Sequence, residues 1–178
     1  LSTETPYPVN FLLFDYKGEF SDPANNSWLA LFDVDRSCIL DPVQQPLPFS
    51  PFKDFSGRSI NEINLYSTEM ANALCAIERT SISANMSNRL SEAIVDAYKK
   101  TNGKPVTFGL ILQHYQGKMA NPDKDDSVTS VLKQLVRNHL FAETDSVSLT
   151  DECFVIKMDA FPKDGPIAKA IVYFVISK

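Results

Sequence analysis

The chain has 178 residues, 44% of them hydrophobic and 22% charged. That fits one compact domain or one lobe of a larger protein, is too short for two full domains, and excludes wholesale disorder or a fibrous repeat. Seventeen Lys and Arg against 22 Asp and Glu give a net charge of −5, with 4 basic and 9 acidic side chains in residues 1–62 and 13 of each in residues 63–178; this rules out a broadly basic nucleic-acid coat but leaves room for a local basic groove.

The first predicted element is the apolar run Val9-Asn10-Phe11-Leu12-Leu13-Phe14, followed by Asp15 and Gly18, the pattern of a buried strand (9–15) whose exit carries a polar loop. A short helix is expected at 27–33 and a second strand at Cys38-Ile39-Leu40, closed by Asp41-Pro42. Four prolines in Pro42 to Phe52 forbid a regular helix or central strand, so an extended connection with its apolar side chains on a neighbouring surface is expected. From Ser59 onward the helical period dominates. Ile60, Ile63, Tyr66, Met70, Ala73, Leu74 and Ile77 form one stripe, and Leu90, Ile94, Ala97 and Tyr98 form another that ends at Gly103-Lys104-Pro105. Thr107 is placed to cap a third helix containing Phe108, Leu110, Ile111 and Tyr115. Residues 118–126 read as a solvated loop, and Val128, Val131, Leu132, Leu135 and Leu140 mark a fourth helix. Residues 147–149 and 154–156 read as strands and 167–176 as a last helix.

The expected fold is therefore α/β: an incomplete sheet flanked by helices, with a large, mainly helical insertion. Residues 1–58 and 141–178 supply the sheet, with the strands at 9–15 and 153–158 in one sheet, and residues 59–140 form the insertion. Cys38, Cys75 and Cys153 are odd in number and follow no C-x-x-C spacing, which argues against a disulfide framework or zinc site and for a reducing compartment. No apolar run approaches the roughly 20 residues of a membrane helix, and no signal segment opens the chain; a cytoplasmic setting without a membrane partner is expected. The sequence starts at Leu1 and stops at Lys178 within an apolar helical pattern, so a piece of a longer protein is expected.

Familiar catalytic signatures are missing. Gly117-Lys118 has Leu112 where a P-loop needs its first glycine, and Met119 follows the lysine. His114 and His139 have neither a serine elbow nor an H-E-x-x-H motif to work with. Two strand exits stand out instead: Phe14-Asp15-Tyr16-Lys17-Gly18-Glu19-Phe20, and Met158-Asp159-Ala160-Phe161 after Phe154-Val155-Ile156-Lys157. A carboxylate just past an apolar strand lies at the carboxyl edge of a sheet, where open α/β proteins bind ligands, although the same pattern also makes an ordinary loop. Lys99, Lys100 and Lys104 cluster at a helix end and are candidates for nucleic-acid contact; the helix macrodipole favours lysines there in any case.

Taken in order, the strand with DYKGEF, the proline-rich DPVQQPLPFSPF, the helical SNRLSEAIVDAYKKTNGKPVTFGLILQHY, then NHLFAETDSVSL, FVIKMDAF and AKAIVYFVISK resemble the middle of a HerA/FtsK-type ATPase, between its Walker A and Walker B motifs. Among narrower families the chain resembles the DptH/DndH-type proteins of DNA phosphorothioation-dependent restriction. The resemblance implies a fragment of a RecA-like core in a DNA-translocating or DNA-remodelling ATPase of bacterial anti-phage defence. It implies ATP and Mg as cofactors of the parent protein, with none for this chain alone, and as partners DNA, other restriction-complex subunits and further copies of the parent. It also implies that Asp15 and Glu19 lie on the nucleotide side of the sheet as supporting catalytic carboxylates, with Lys17 between them at the cofactor. Arg79 and Arg89 become candidates for an arginine acting in trans on a neighbouring subunit's phosphoryl group; pairing with Glu78 or Glu92 on a helix face is the plainer role. The competing expectation is a non-catalytic binding module, with residues 107–140 as two helices and 147–156 as the wing of a winged helix.

Overall fold

A computed structural model of the chain describes residues 10–22, 38–77, 82–149 and 153–178. Among them the chain forms three strands, β1 (Leu12–Asp15), β2 (Ile39–Leu40) and β3 (Phe154–Lys157), and five helices, α1 (Ile60–Ile77), α2 (Ala84–Lys100), α3 (Phe108–Gly117), α4 (Ser127–Asn138) and α5 (Pro166–Ile176). The expected helix at 27–33 and the first residue of the expected 9–15 strand lie outside the described residues. None of the described helices is long and apolar enough to cross a membrane.

The strands form one parallel sheet in the order β1-β3-β2. Leu13 pairs with Val155 and Val155 with Ile39, so the first and last strands, expected at 9–15 and 153–158, are neighbours in one sheet. Parallel strands need a crossover connection. The one from β2 to β3 contains α1 to α4, which belong to a compact unit of their own, Ser50–His139; Leu1–Phe49 and Leu140–Lys178 form the other. The unit boundary therefore falls within the proline-rich connection, nine residues before the 58/59 boundary expected from sequence.

In the sheet unit, Val155 and Ile156 are fully buried, and Cys38, Cys153 and Val155 form a small cluster against Phe11, Leu13, Phe20 and Ile39. The proline-rich connection contributes Leu47 and Phe49, each 1% exposed. Leu47 bridges to Phe141 in parallel, and the rings of Phe49, Phe141 and Phe174 follow one another at 5.6 and 5.4 Å. α5 begins with Pro166 after Gly165, where a missing N–H costs nothing.

The helical unit is built by well-marked helix ends. Ser59 and Glu62 exchange hydrogen bonds at the start of α1, Ser83 and Thr107 accept from Met86 N and Leu110 N, and Asp126 with Thr129 makes a full capping box on α4. Gly103, at φ 83°, turns the chain away from α2 and returns its N–H to Tyr98 O at 2.9 Å. Beyond it, Phe55, Tyr66 and Tyr98 form a ring cluster with centroids 5.0 to 6.0 Å apart, and the Tyr98 hydroxyl donates to Lys53 O at 3.0 Å.

Two expectations need correction. Residues 147–149 form turn and coil: Val147 is 37% exposed, and the preceding Ser146 spends its N–H and hydroxyl on Pro48 O. Leu140 lies past the end of α4 because His139 adopts a left-handed conformation at φ 46°, and its carbonyl accepts from Leu47 N.

Candidate functional site at the carboxyl edge of the sheet

Because all three strands are parallel, their exits meet at one edge, and at each exit stands an aspartate: Asp15, Asp41 and Asp159. Asp15 is 1% exposed. Its two carboxylate oxygens accept from four backbone amides, those of Lys17 and Glu19 at 3.2 Å, Phe20 at 2.9 Å and Ser21 at 2.8 Å. Burial pushes the carboxyl upward, but the hydrogen bonds from Phe20, Ser21 and Lys17 outweigh it, and the group sits below the usual carboxylate range. Asp15 is thus the organiser around which the DYKGEF loop folds, and its oxygens face the loop's own backbone.

The loop returns at Gly18, whose φ of 72° suits glycine; a side chain there would come within 3.2 Å of Asp159 Oδ2. The loops leaving β1 and β3 therefore touch at Gly18 and Asp159. Lys157 joins the third exit: its Nζ lies 3.6 Å from Asp41 Oδ2 and 4.0 Å from Asp159 Oδ2. Asp41 also accepts from Val43 N at 3.0 Å, which starts the turn into the proline-rich connection. Lys17 and Glu19 stand on the outside of the rim, 3.8 Å apart and more than half exposed. Tyr16 carries Lys163 5.6 Å above its ring, and burial, then the Asp164 charge, pushes its hydroxyl pKa upward.

The rim thus gathers Asp15, Lys17 and Glu19, and adds Asp41, Lys157 and Asp159. Of that second set, Asp41 and Asp159 are visible in the sequence as aspartates just beyond apolar strands, whereas the place of Lys157 between them follows from the parallel register. Among the described residues no cluster of three or more His, Cys, Asp or Glu is arranged to hold a metal ion. What the rim offers chemically is an exposed carboxylate and ammonium on a loop whose backbone is fixed from beneath.

The other candidates lie in the helical unit. Arg89 is packed: its guanidinium lies 5.6 Å from the Tyr115 ring centroid and 3.8 Å from Asp126, whose other bonds cap α4 and accept the Tyr115 hydroxyl at 2.7 Å. That contact ties α2, α3 and the start of α4 together. Arg79 lies outside the described residues. Lys99 is 3.7 Å from Asp96, which also binds Lys118 at 2.8 Å; Lys100 and Lys104 are exposed. Searches of family models, of curated proteins and of solved structures found no match to the chain.

Proposed function

We propose that the chain is a segment of a HerA/FtsK-type DNA-translocating or DNA-remodelling ATPase, of the kind acting in phosphorothioation-dependent restriction, and that it contributes the sheet rim beside the nucleotide and an inserted helical unit. The observation that carries this reading is the parallel pairing of β1 with β3 across the inserted helical unit, with the DYKGEF loop and the Asp159 loop touching at the carboxyl edge. Ligands of open α/β sheets bind at that edge. Phosphoryl transfer needs backbone amides and a lysine around the phosphates and a magnesium ion held by a P-loop hydroxyl and an acidic strand end; on this reading those groups come from other parts of the parent. Asp15 shapes the loop, Glu19 and Lys17 are its outward-facing charges, and Arg89 serves the packing of the helical unit.

The winged-helix alternative loses its support at the wing. A wing is an antiparallel hairpin, whereas residues 147–149 are turn and coil and residues 154–157 pair in parallel with β1 and β2. Magnesium-dependent ATP hydrolysis should be measured for the 178-residue chain and for a longer polypeptide that contains it. The expected result is no turnover by the chain and clear turnover by the longer protein. Turnover by the purified chain contradicts the division of the site, and a longer protein that neither binds nor hydrolyses nucleotide contradicts the ATPase reading.

A further inference from the structure

The two units differ in charge. Ser50–His139 contains 11 basic and 9 acidic side chains, while the remainder of the chain contains 6 basic and 13 acidic. A polyanion is therefore attracted to the helical unit and repelled by the sheet unit. Within the helical unit, residues 53–58 are laid along the end of α2: Phe55 N donates to Gly103 O at 2.7 Å, and the Tyr98 hydroxyl donates to Lys53 O at 3.0 Å. That brings Lys53, 47 residues away from Lys100 in sequence, to the same end of the unit as Lys100 and Lys104, and all three are exposed. The Lys53 ammonium sits 5.6 Å above the Tyr66 ring, which holds it in place without neutralising it. Of the carboxylates nearby, Asp96 binds Lys118 and Lys99 and Glu62 binds Arg58 and Ser59, while Asp54, which accepts from Ser56 N at 2.7 Å, keeps its negative charge and interacts with Lys104.

We propose that this end of the helical unit, with Lys53, Lys100 and Lys104 at its centre, is a contact surface for the phosphate backbone of duplex DNA. The proposal rests on the DNA-directed reading above and adds the surface, the residue Lys53 and the mode of contact. Three separate ammonium groups with no base-reading constellation around them bind phosphates as point charges and read no sequence. Lys99 belongs less to the surface than its position suggests, because Asp96 holds it.

The test is fluorescence anisotropy of the 178-residue chain with a labelled duplex of arbitrary sequence, at 50 and 200 mM salt. Three phosphate contacts predict a loss of affinity of about 40-fold across that range. Changing Lys53, Lys100 and Lys104 together to Gln is expected to reduce the loss to a few-fold, equally on unrelated duplexes. Lys163→Gln and Lys169→Gln in the sheet unit are expected to leave it unchanged, and circular dichroism should show the same helix content throughout. An unchanged salt slope in the triple variant, or no duplex binding by the wild-type chain at 50 mM salt, overturns the proposal. Tighter binding to polyglutamate or to anionic lipid vesicles than to the duplex also overturns it. ATP turnover by the longer protein together with an unaltered DNA slope removes this surface and leaves the ATPase reading standing; loss of both removes the reading itself.

Discussion

At the scale of single residues, Asp15 decides the conformation of the whole DYKGEF loop, since four amides converge on one carboxylate that is almost fully buried. Asp15→Ala leaves those donors without an acceptor and should cost about 3 kcal/mol in a urea melt of the chain. The folded carboxyl lies below its ordinary value, whereas the unfolded one titrates at about 3.9. Its contribution is therefore complete above about pH 4 and is lost as the pH falls further, when the unfolded chain takes up the proton first. Asp15→Asn should flatten the acid side of the stability profile, with Asp96, Asp54 and Glu62 keeping part of the slope because their carboxyls also sit low. An unchanged acid slope in Asp15→Asn would remove this role from Asp15. The sequence showed Asp15 at a strand exit but not the occupation of its oxygens, because that depends on the loop doubling back at Gly18.

At the scale of elements, the helices of the central unit were legible because their apolar stripes and caps are local signals: Thr107 caps α3 at the position its type suggests. Residues 147–149 misled because the alternation of Val147, Ser148 and Leu149 imitates a strand, and pairing requires a neighbouring edge that a local pattern cannot supply. The junction of α2 with residues 53–58 was equally hidden, since it depends on Gly103. A Cβ at Gly103 would lie 2.6 Å from Phe55 O, at a backbone φ of 83°. Gly103→Ala should therefore destabilise the chain by about 2 kcal/mol or more, against near-neutrality for Gly117→Ala, where nothing crowds the position; thermal melts of the two variants compare them directly. Asp126→Ala removes the α4 cap and the acceptor of the Tyr115 hydroxyl, and a loss of about 2 kcal/mol is expected.

At the scale of the whole molecule, the chain consists of a parallel sheet unit interrupted by a helical unit with its own apolar core. The helical unit is continuous in sequence, from Ser50 to His139, and contains all of α1 to α4. Expressed as residues 50–139, it should give a helical circular dichroism spectrum and a cooperative thermal transition; a featureless coil spectrum would show that its core depends on the sheet. The sheet was legible at this scale because its strands are apolar runs ending near aspartates, whereas the gathering of Lys17, Glu19, Lys157 and Asp159 at one rim required the parallel register.

The central functional claim is that the DYKGEF loop stands at the reacting end of a nucleotide site in the longer protein. Its most direct test is Glu19→Gln in that protein, with the ATP turnover rate and nucleotide affinity measured side by side. Glu19 is on the outer side of a loop whose backbone Asp15 fixes, so its removal should act on the reacting state more than on the resting complex. Turnover is expected to fall about tenfold or more with nucleotide affinity changed by less than about threefold. Full turnover in the variant would contradict the claim.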